Sequence, residues 1–146
     1  MEDARRDGAC AGVVGDLWIG EEVEEPEVAK LIEEAADLEA RSPADYPWDT
    51  AASSEAITYF ARALGAARSG RFEQARADLE VLDGLHRAVA AASPYWGTQV
   101  EVQRLSARAW LQFEEGDREG GLQAMIEAAD LEASTEKHPV TPGEVL

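Results

Sequence analysis

The sequence predicts an all-α fold of stacked antiparallel helical hairpins, about five to six helices in all. Three observations predict it. The first is composition: 45% of the 146 residues are apolar, Ala dominates that share, and Leu, Glu, Arg and Gln fill much of the rest while Val, Ile and Thr are sparse. These are the residues helices use. The second is a faint internal repeat of about 46 residues. Arg62-Ala63-Leu64 leads to Gly70-Arg71-Phe72-Glu73-Gln74-Ala75, and Arg108-Ala109-Trp110 leads at the same separation to Gly116-Asp117-Arg118-Glu119-Gly120-Gly121. Trp18, Leu64 and Trp110 share that spacing, and the run Glu-Ala-Ala-Asp-Leu-Glu-Ala occurs at both 34–40 and 127–133. Repeats of this length are the mark of stacked helical units, which bury their apolar faces against neighbours and offer a surface for binding. The third is a set of apolar stripes at three- and four-residue steps, punctuated by Gly and Pro.

The elements follow in order. Residues 1–25 are rich in Gly and acid. Gly8, Gly12, Gly15 and Gly20 each weaken a helix, while Val13, Val14, Leu17, Trp18 and Ile19 supply a short apolar element. That segment reads as flexible or partly helical, ahead of a helical domain over 26–134. A helix is expected over 26–41, with Pro26 in its first turn, Glu25 and Glu27 at its positive end, and a stripe of Val28, Leu31, Ile32, Ala35 and Leu38. Ser42-Pro43 and Tyr46-Pro47 stop it. A loop over 42–53 carries Trp48, and Ser53 or Ser54 caps a helix over about 55–69 striped by Ile57, Phe60, Ala61, Leu64 and Ala67. Gly70 ends that helix. A helix over about 72–92 follows, lined by Phe72, Ala75, Leu79, Leu82 and Val89, with Gly84 as a bend point. So short a loop makes the pair an antiparallel hairpin. Ser93-Pro94 supplies a cap and a first-turn proline for a helix over about 95–115 carrying Tyr95, Trp96, Val102, Leu105, Ala109, Trp110 and Phe113. After the Gly116-Asp117 turn, a last helix over 118–134 places Leu122, Met125, Ile126, Ala129 and Ala133 inside. Residues 135–146 hold Pro139, Pro142 and Gly143 and read as an irregular tail.

Charge narrows the partners. The net charge is −17, from 30 acidic and 13 basic residues. Nucleic-acid binding needs a cationic footprint that displaces counterions from phosphate, so this chain is not expected to bind nucleic acid or an anionic membrane surface. Basic peptides match it better, although a charge of this size also serves solubility alone. Cys10 is the single cysteine, so no intrachain disulfide forms, and a cytoplasmic location is expected. No apolar run approaches the roughly 20 residues of a membrane span. The apolar stretch over 8–20 follows an acidic start, unlike a secretory signal.

At Gly70-Arg71-Phe72-Glu73-Gln74-Ala75 the chain resembles a tetratricopeptide repeat (TPR), a family that turns its hairpin at a Gly-Asp/Asn-Tyr-x-x-Ala stretch. Gly70, Phe72 and Ala75 match, and Leu79 and Leu82 fall where the family keeps a large and then a small residue. Gly116-Asp117 matches the second turn, with Arg118 in place of the aromatic and Gly121 in place of the alanine. Ala63 and Ala109 take the small first-helix position, preceded by Arg62 and Arg108 where the family has a large residue. The family's period is shorter, about 34 residues, so the chain is TPR-like with lengthened helices. The resemblance covers residues 54–134 well and 13–41 weakly. Ser-Pro-Tyr-Trp at 93–96 and the run from Ala128 to Gly143 also look like the C-terminal region of larger bacterial TPR-containing proteins, which continue with further repeats. The resemblance implies a short right-handed solenoid, no catalytic residue, and a fragment of a longer array.

It also implies which positions face a concave groove: Ile57, Phe60, Leu64, Ala67 and Arg68 in one helix, and Gln103, Ser106, Trp110, Phe113 and Glu114 in the other. TPR domains that clamp a peptide carboxylate place Lys, Arg and Asn there. The aliphatic and aromatic residues here argue against such a clamp. The expected binding set is Phe60, Leu64, Trp110 and Phe113, with Arg62, Arg68 and Arg108 as polar partners. A surface this apolar needs a cover, and three remain open: the 26–41 helix, a second copy of the chain, or a foreign ligand or helical peptide. A missing neighbour at the last hairpin favours homodimerisation.

Catalysis and metal binding find little support. His86 and His138 are far apart and belong to no metal-ligand pattern. Glu33, Glu34, Asp37 and Glu39, like the run Glu21, Glu22, Glu24 and Glu25, read as solvated charge rather than carboxylates converging in a cleft. Cys10 has no histidine near it in sequence, and no phosphate-cradling loop, dinucleotide fingerprint or nucleophile elbow occurs. No cofactor is expected. The sequence thus predicts a non-enzymatic protein–protein interaction or scaffold module that self-associates through its concave surface. The alternative is a small-molecule-binding or regulatory module with an aromatic pocket drawn from Trp18, Trp48, Tyr59, Trp96 and Trp110.

Overall fold

The computed structural model describes residues 25–135. The expectations for residues 1–24, including Cys10 and Trp18, and for the tail from 136 onward, including His138, lie outside the described residues.

Five α-helices form, with no strand among the described residues: α1 (Glu25–Ala36), α2 (Ala52–Arg68), α3 (Phe72–Ala92), α4 (Pro94–Glu114) and α5 (Arg118–Ala133). A short 3₁₀ turn at Trp48–Thr50 leads into α2. The all-α hairpin stack is therefore as expected. Its turns explain why the chain folds back where it does. Gly70 and Gly116 sit at φ +77° and +104°, backbone that a side chain strongly disfavours, and each ends a helix three residues or fewer before the next begins. Asp117 caps α5 by accepting from Gly120 N at 3.0 Å. Ser93 caps α4, with Pro94 in its first turn.

Pairings across the turns fix the direction of each hairpin. Arg62 and Asp78 face each other eight residues either side of Gly70, so α2 and α3 run antiparallel. Asp83 with Arg104 and His86 with Glu101 do the same for α3 and α4. Gly121 lies against Ala109 and Phe113, which sets α5 antiparallel to α4. Beyond these neighbours, α2 packs on α4, and α1 packs on α2.

The core is thin and rich in alanine. Ala56, Ala63, Ala66, Ala67, Ala75 and Ala107 are buried with Leu79, Leu82, Val89, Val100 and Leu111. Small side chains let the helices approach closely, and the larger Tyr59, Phe60, Phe72 and Trp110 pack around the edge of this cluster.

Two boundaries and the buried face of one helix differ from the sequence reading. First, α1 ends at Ala36 rather than 41. Side chains from α2, α3 and the turn between them take hold of its end: Gln74 Nε2 donates to Ala36 O at 2.6 Å, Arg62 Nη1 to Leu38 O at 2.7 Å, and Arg71 pairs with Asp37 at 2.6 Å. The chain then turns at Arg41, φ +58°, and Leu38 leaves the apolar stripe for solvent. Second, α2 starts at Ala52 with no side-chain cap, because the 3₁₀ turn feeds it directly. Third, α5 leans on α4 through Gly121 and Ala128, not through the expected stripe. Leu122 and Ile126 are 60% and 46% exposed, and Ala129 and Ala133 are exposed as well. The closest approach to α4 is at Gly121, so the larger side chains fall to one side of the contact, where no described helix covers them.

A candidate interaction groove

One face of the molecule carries an apolar strip across α1, α2, α4 and α5. Helical geometry selects it. Phe60, Leu64 and Arg68 are four residues apart on α2, and Trp110 and Phe113 three apart on α4, so each set projects from one side of its helix.

At the centre the Arg68 guanidinium carbon lies 4.8 Å from the Trp110 ring centroid. Trp110 meets Phe113 edge-on, with centroids 6.0 Å apart and rings at 72°. Arg118 stacks on Phe113 at 5.1 Å. Such contacts hold the rings and cations in place. Among the described residues neither Arg68 nor Arg118 pairs with a carboxylate, although Arg41, Arg62, Arg71, Arg76 and Arg104 all do.

Two hollows flank the centre. One, of about 170 Å³, is lined by Ala109, Trp110, Phe113, Gly121, Leu122 and Met125 between α4 and α5. The other, of about 300 Å³, lies between α1 and α2 among Val28, Leu31, Ile32, Phe60, Leu64 and Arg68. Arg68 borders the second hollow and covers the tryptophan of the first, which makes the strip continuous. Further along the same side of α4, Gln99 Nε2 and Gln103 Oε1 are buried with no hydrogen-bond partner among the described residues. The groove therefore offers apolar area, an edge-on aromatic pair and two cations.

Of the seven residues expected to bind, the structure brings together five: Phe60, Leu64, Arg68, Trp110 and Phe113. Arg62 and Arg108 are each two residues from a groove position, about 200° around the helix, and point away from it. Arg62 instead holds the fold together, donating from Nε to Asp78 at 3.2 and 3.3 Å and from Nη1 to Leu38 O. Arg108 is exposed on the far side of α4. Residue reasoning missed Arg118 and Leu122 as groove members. Arg118 was visible only as a departure from the repeat pattern, and Leu122 was assigned to the interior. The 26–41 helix, one of the covers considered, does lie beside α2, yet Leu31 remains 56% exposed and the hollow beneath stays open.

Of the aromatic side chains weighed for a common ligand pocket, the four among the described residues, Trp48, Tyr59, Trp96 and Trp110, do not converge. Trp48 packs on Tyr46 at 4.6 Å in the loop before α2 and donates to Pro43 O at 2.9 Å. Trp96 stands 47% exposed at the start of α4 beside Tyr95. Tyr59 packs against the core, and only Trp110 lies in the groove. His86 Nδ1 lies 3.6 Å from Glu101 Oε2, in a cluster with Arg104 and Asp83 on α3 and α4.

No protein-family model, curated protein or solved structure matches the chain.

Proposed function

We propose that the protein is a non-enzymatic interaction module that self-associates through the aromatic end of this groove. The observation that carries the reading is the open apolar patch beside Trp110: Leu122 is 60% exposed, Ile126 46%, and Met125 only half-buried. An exposed, contiguous apolar patch on a rigid scaffold is the usual signature of an interaction surface. A second copy offers the same patch, and a two-fold axis through it pairs the two surfaces with each other.

The hairpin order and the repeat spacing support a TPR-like reading with lengthened helices, and a right-handed stack belongs to that reading. A cytoplasmic location belongs to it too. A small-molecule reading gains less from the geometry. The hollow at Trp110 is about 170 Å³, below the ~300–1,000 Å³ of typical ligand pockets, and neither Trp48 nor Trp96 extends it.

Sedimentation equilibrium tests the reading. The wild-type chain should form a reversible dimer that Leu122→Glu, an exposed position, abolishes while the circular dichroism spectrum is unchanged. A wild-type chain that stays monomeric at every concentration overturns it.

A further inference from the structure

The link from α1 to α2, residues 37–51, is far longer than the turns at 69–71 and 115–117. Links of that length in a compact domain commonly carry function. This one is pinned by its own side chains. Trp48 Nε1 donates to Pro43 O at 2.9 Å, and Thr50 Oγ1 to Pro47 O at 3.1 Å. The Tyr46 and Ser54 hydroxyls meet at 3.4 Å. Arg41 donates from Nε and Nη2 to Glu55 at 2.9 and 3.2 Å, and from Nη1 to Asp49 at 3.1 Å. Among these residues lies a hollow of about 390 Å³, whose lining includes Arg41, Tyr46, Pro47, Trp48, Asp49 and Thr50. Its volume falls within the ~300–1,000 Å³ of ligand sites. It shares no lining residue with the hollows at Trp110 and Phe60.

We propose that this hollow binds an organic cation, taken up by the Tyr46 and Trp48 rings and the Asp49 carboxylate. The chemistry of the lining selects the sign of the ligand. The two rings pack 4.6 Å apart and tilted by 56°. Trp48 has already spent its N–H on Pro43, so it offers a ligand π-density rather than a hydrogen-bond donor, and π-density attracts cations. Arg41 is not left for an anion, because each of its three guanidinium nitrogens donates to a carboxylate. Glu55 and Asp49 together outweigh its single charge. The Asp49 side chain is 91% exposed and, among the described residues, meets Arg41 through Oδ1, which leaves Oδ2 for a ligand. Asp45 stands exposed in the same loop. A net charge of −17 further concentrates cations around the molecule. An anion would be repelled here, and an uncharged ligand would gain nothing from Asp49. The same chemistry comes from two sources: a free quaternary ammonium compound, or the arginine side chain of a basic peptide. This site is separate from the surface assigned to self-association.

NMR titration of the full chain at low salt tests it, read at the Trp48 indole and Tyr46 ring signals. The probes are choline, an acetylated arginine amide, and the uncharged isostere of choline in which carbon replaces the quaternary nitrogen. At least one cation should shift both signals saturably. Saturation by choline alone supports a free ammonium ligand, and saturation by the arginine probe supports a side chain of a basic partner. The isostere should bind at least about threefold more weakly than choline, the scale of an exposed cation–π contact and ion pair. Asp49→Asn retains the Arg41–Glu55 pair and should weaken the cation that binds by about twofold or more. No saturable shift with either cation overturns the proposal. So does an isostere that binds as tightly as choline, or an Asp49→Asn variant that binds as tightly as the wild type.

Discussion

Asp78 is 4% exposed and, among the described residues, pairs with the Arg62 guanidinium, whose own side chain is 24% exposed. Removing one member of such a pair strands the other in a low-dielectric place. Asp78→Ala is therefore expected to cost about 2–4 kcal/mol in chemical denaturation, and a loss near zero would show that water already serves Arg62. Glu101 gives a pH signature. Arg104 donates to both its oxygens, at 2.7 and 2.6 Å, and holds the carboxyl below its ordinary value of 4.5. Burial opposes this, and the charges of Arg104, His86 and Arg108 add to it. A carboxyl lowered in the folded state stabilises the protein above its unfolded value, and that contribution is lost as pH falls below about 4.5 toward the folded value. Glu101→Gln should flatten the acid limb of the stability curve there and change little near neutrality. Equal acid slopes in the two proteins would contradict the assignment.

Helix contacts depend on where side chains are absent. A Cβ on Gly65 would stand 2.6 Å from Ala36 N and Ile32 O, both backbone, so α1 would have to move. Gly65→Ala is expected to cost about 1–3 kcal/mol, the range for overpacking, and to accelerate hydrogen exchange in α1 first. Gly84→Ala meets nothing within 4 Å and should stabilise α3 by about 0.5–1 kcal/mol. Reversed signs in the two variants would overturn the packing described. The contrast also explains what the sequence could reveal. Periodicity and the Gly70 and Gly116 turns located α2 through α5 to within about three residues, because those signals are local. The end of α1 was not legible, since Gln74, Arg62 and Arg71 seize it from about 24 to 38 residues away. The face of α5 was misjudged for a similar reason. Its Leu122, Met125 and Ile126 stripe looks like a core stripe, and only the tight Gly121 contact shows that it lies beside the interface with α4. In the groove, Phe60, Leu64, Arg68, Trp110 and Phe113 were legible through repeat register. Arg62 and Arg108 were not separable from them until their helix faces were placed.

At the scale of the whole molecule, an acidic shell surrounds an apolar strip. Two chains of charge −17 repel, and that repulsion is screened as salt rises, whereas contact between apolar patches persists. Self-association should therefore tighten with added salt. Weakening would mean that ion pairs, not Trp110 and Leu122, hold the copies together. The most direct measurement is light-scattering mass across a concentration series for the wild type, Trp110→Ala, Leu122→Glu and a surface control, Glu119→Ala. The account predicts a wild-type dimer that both groove variants weaken and Glu119→Ala leaves intact. A monomer at all concentrations, or equal loss in all three variants, would contradict it.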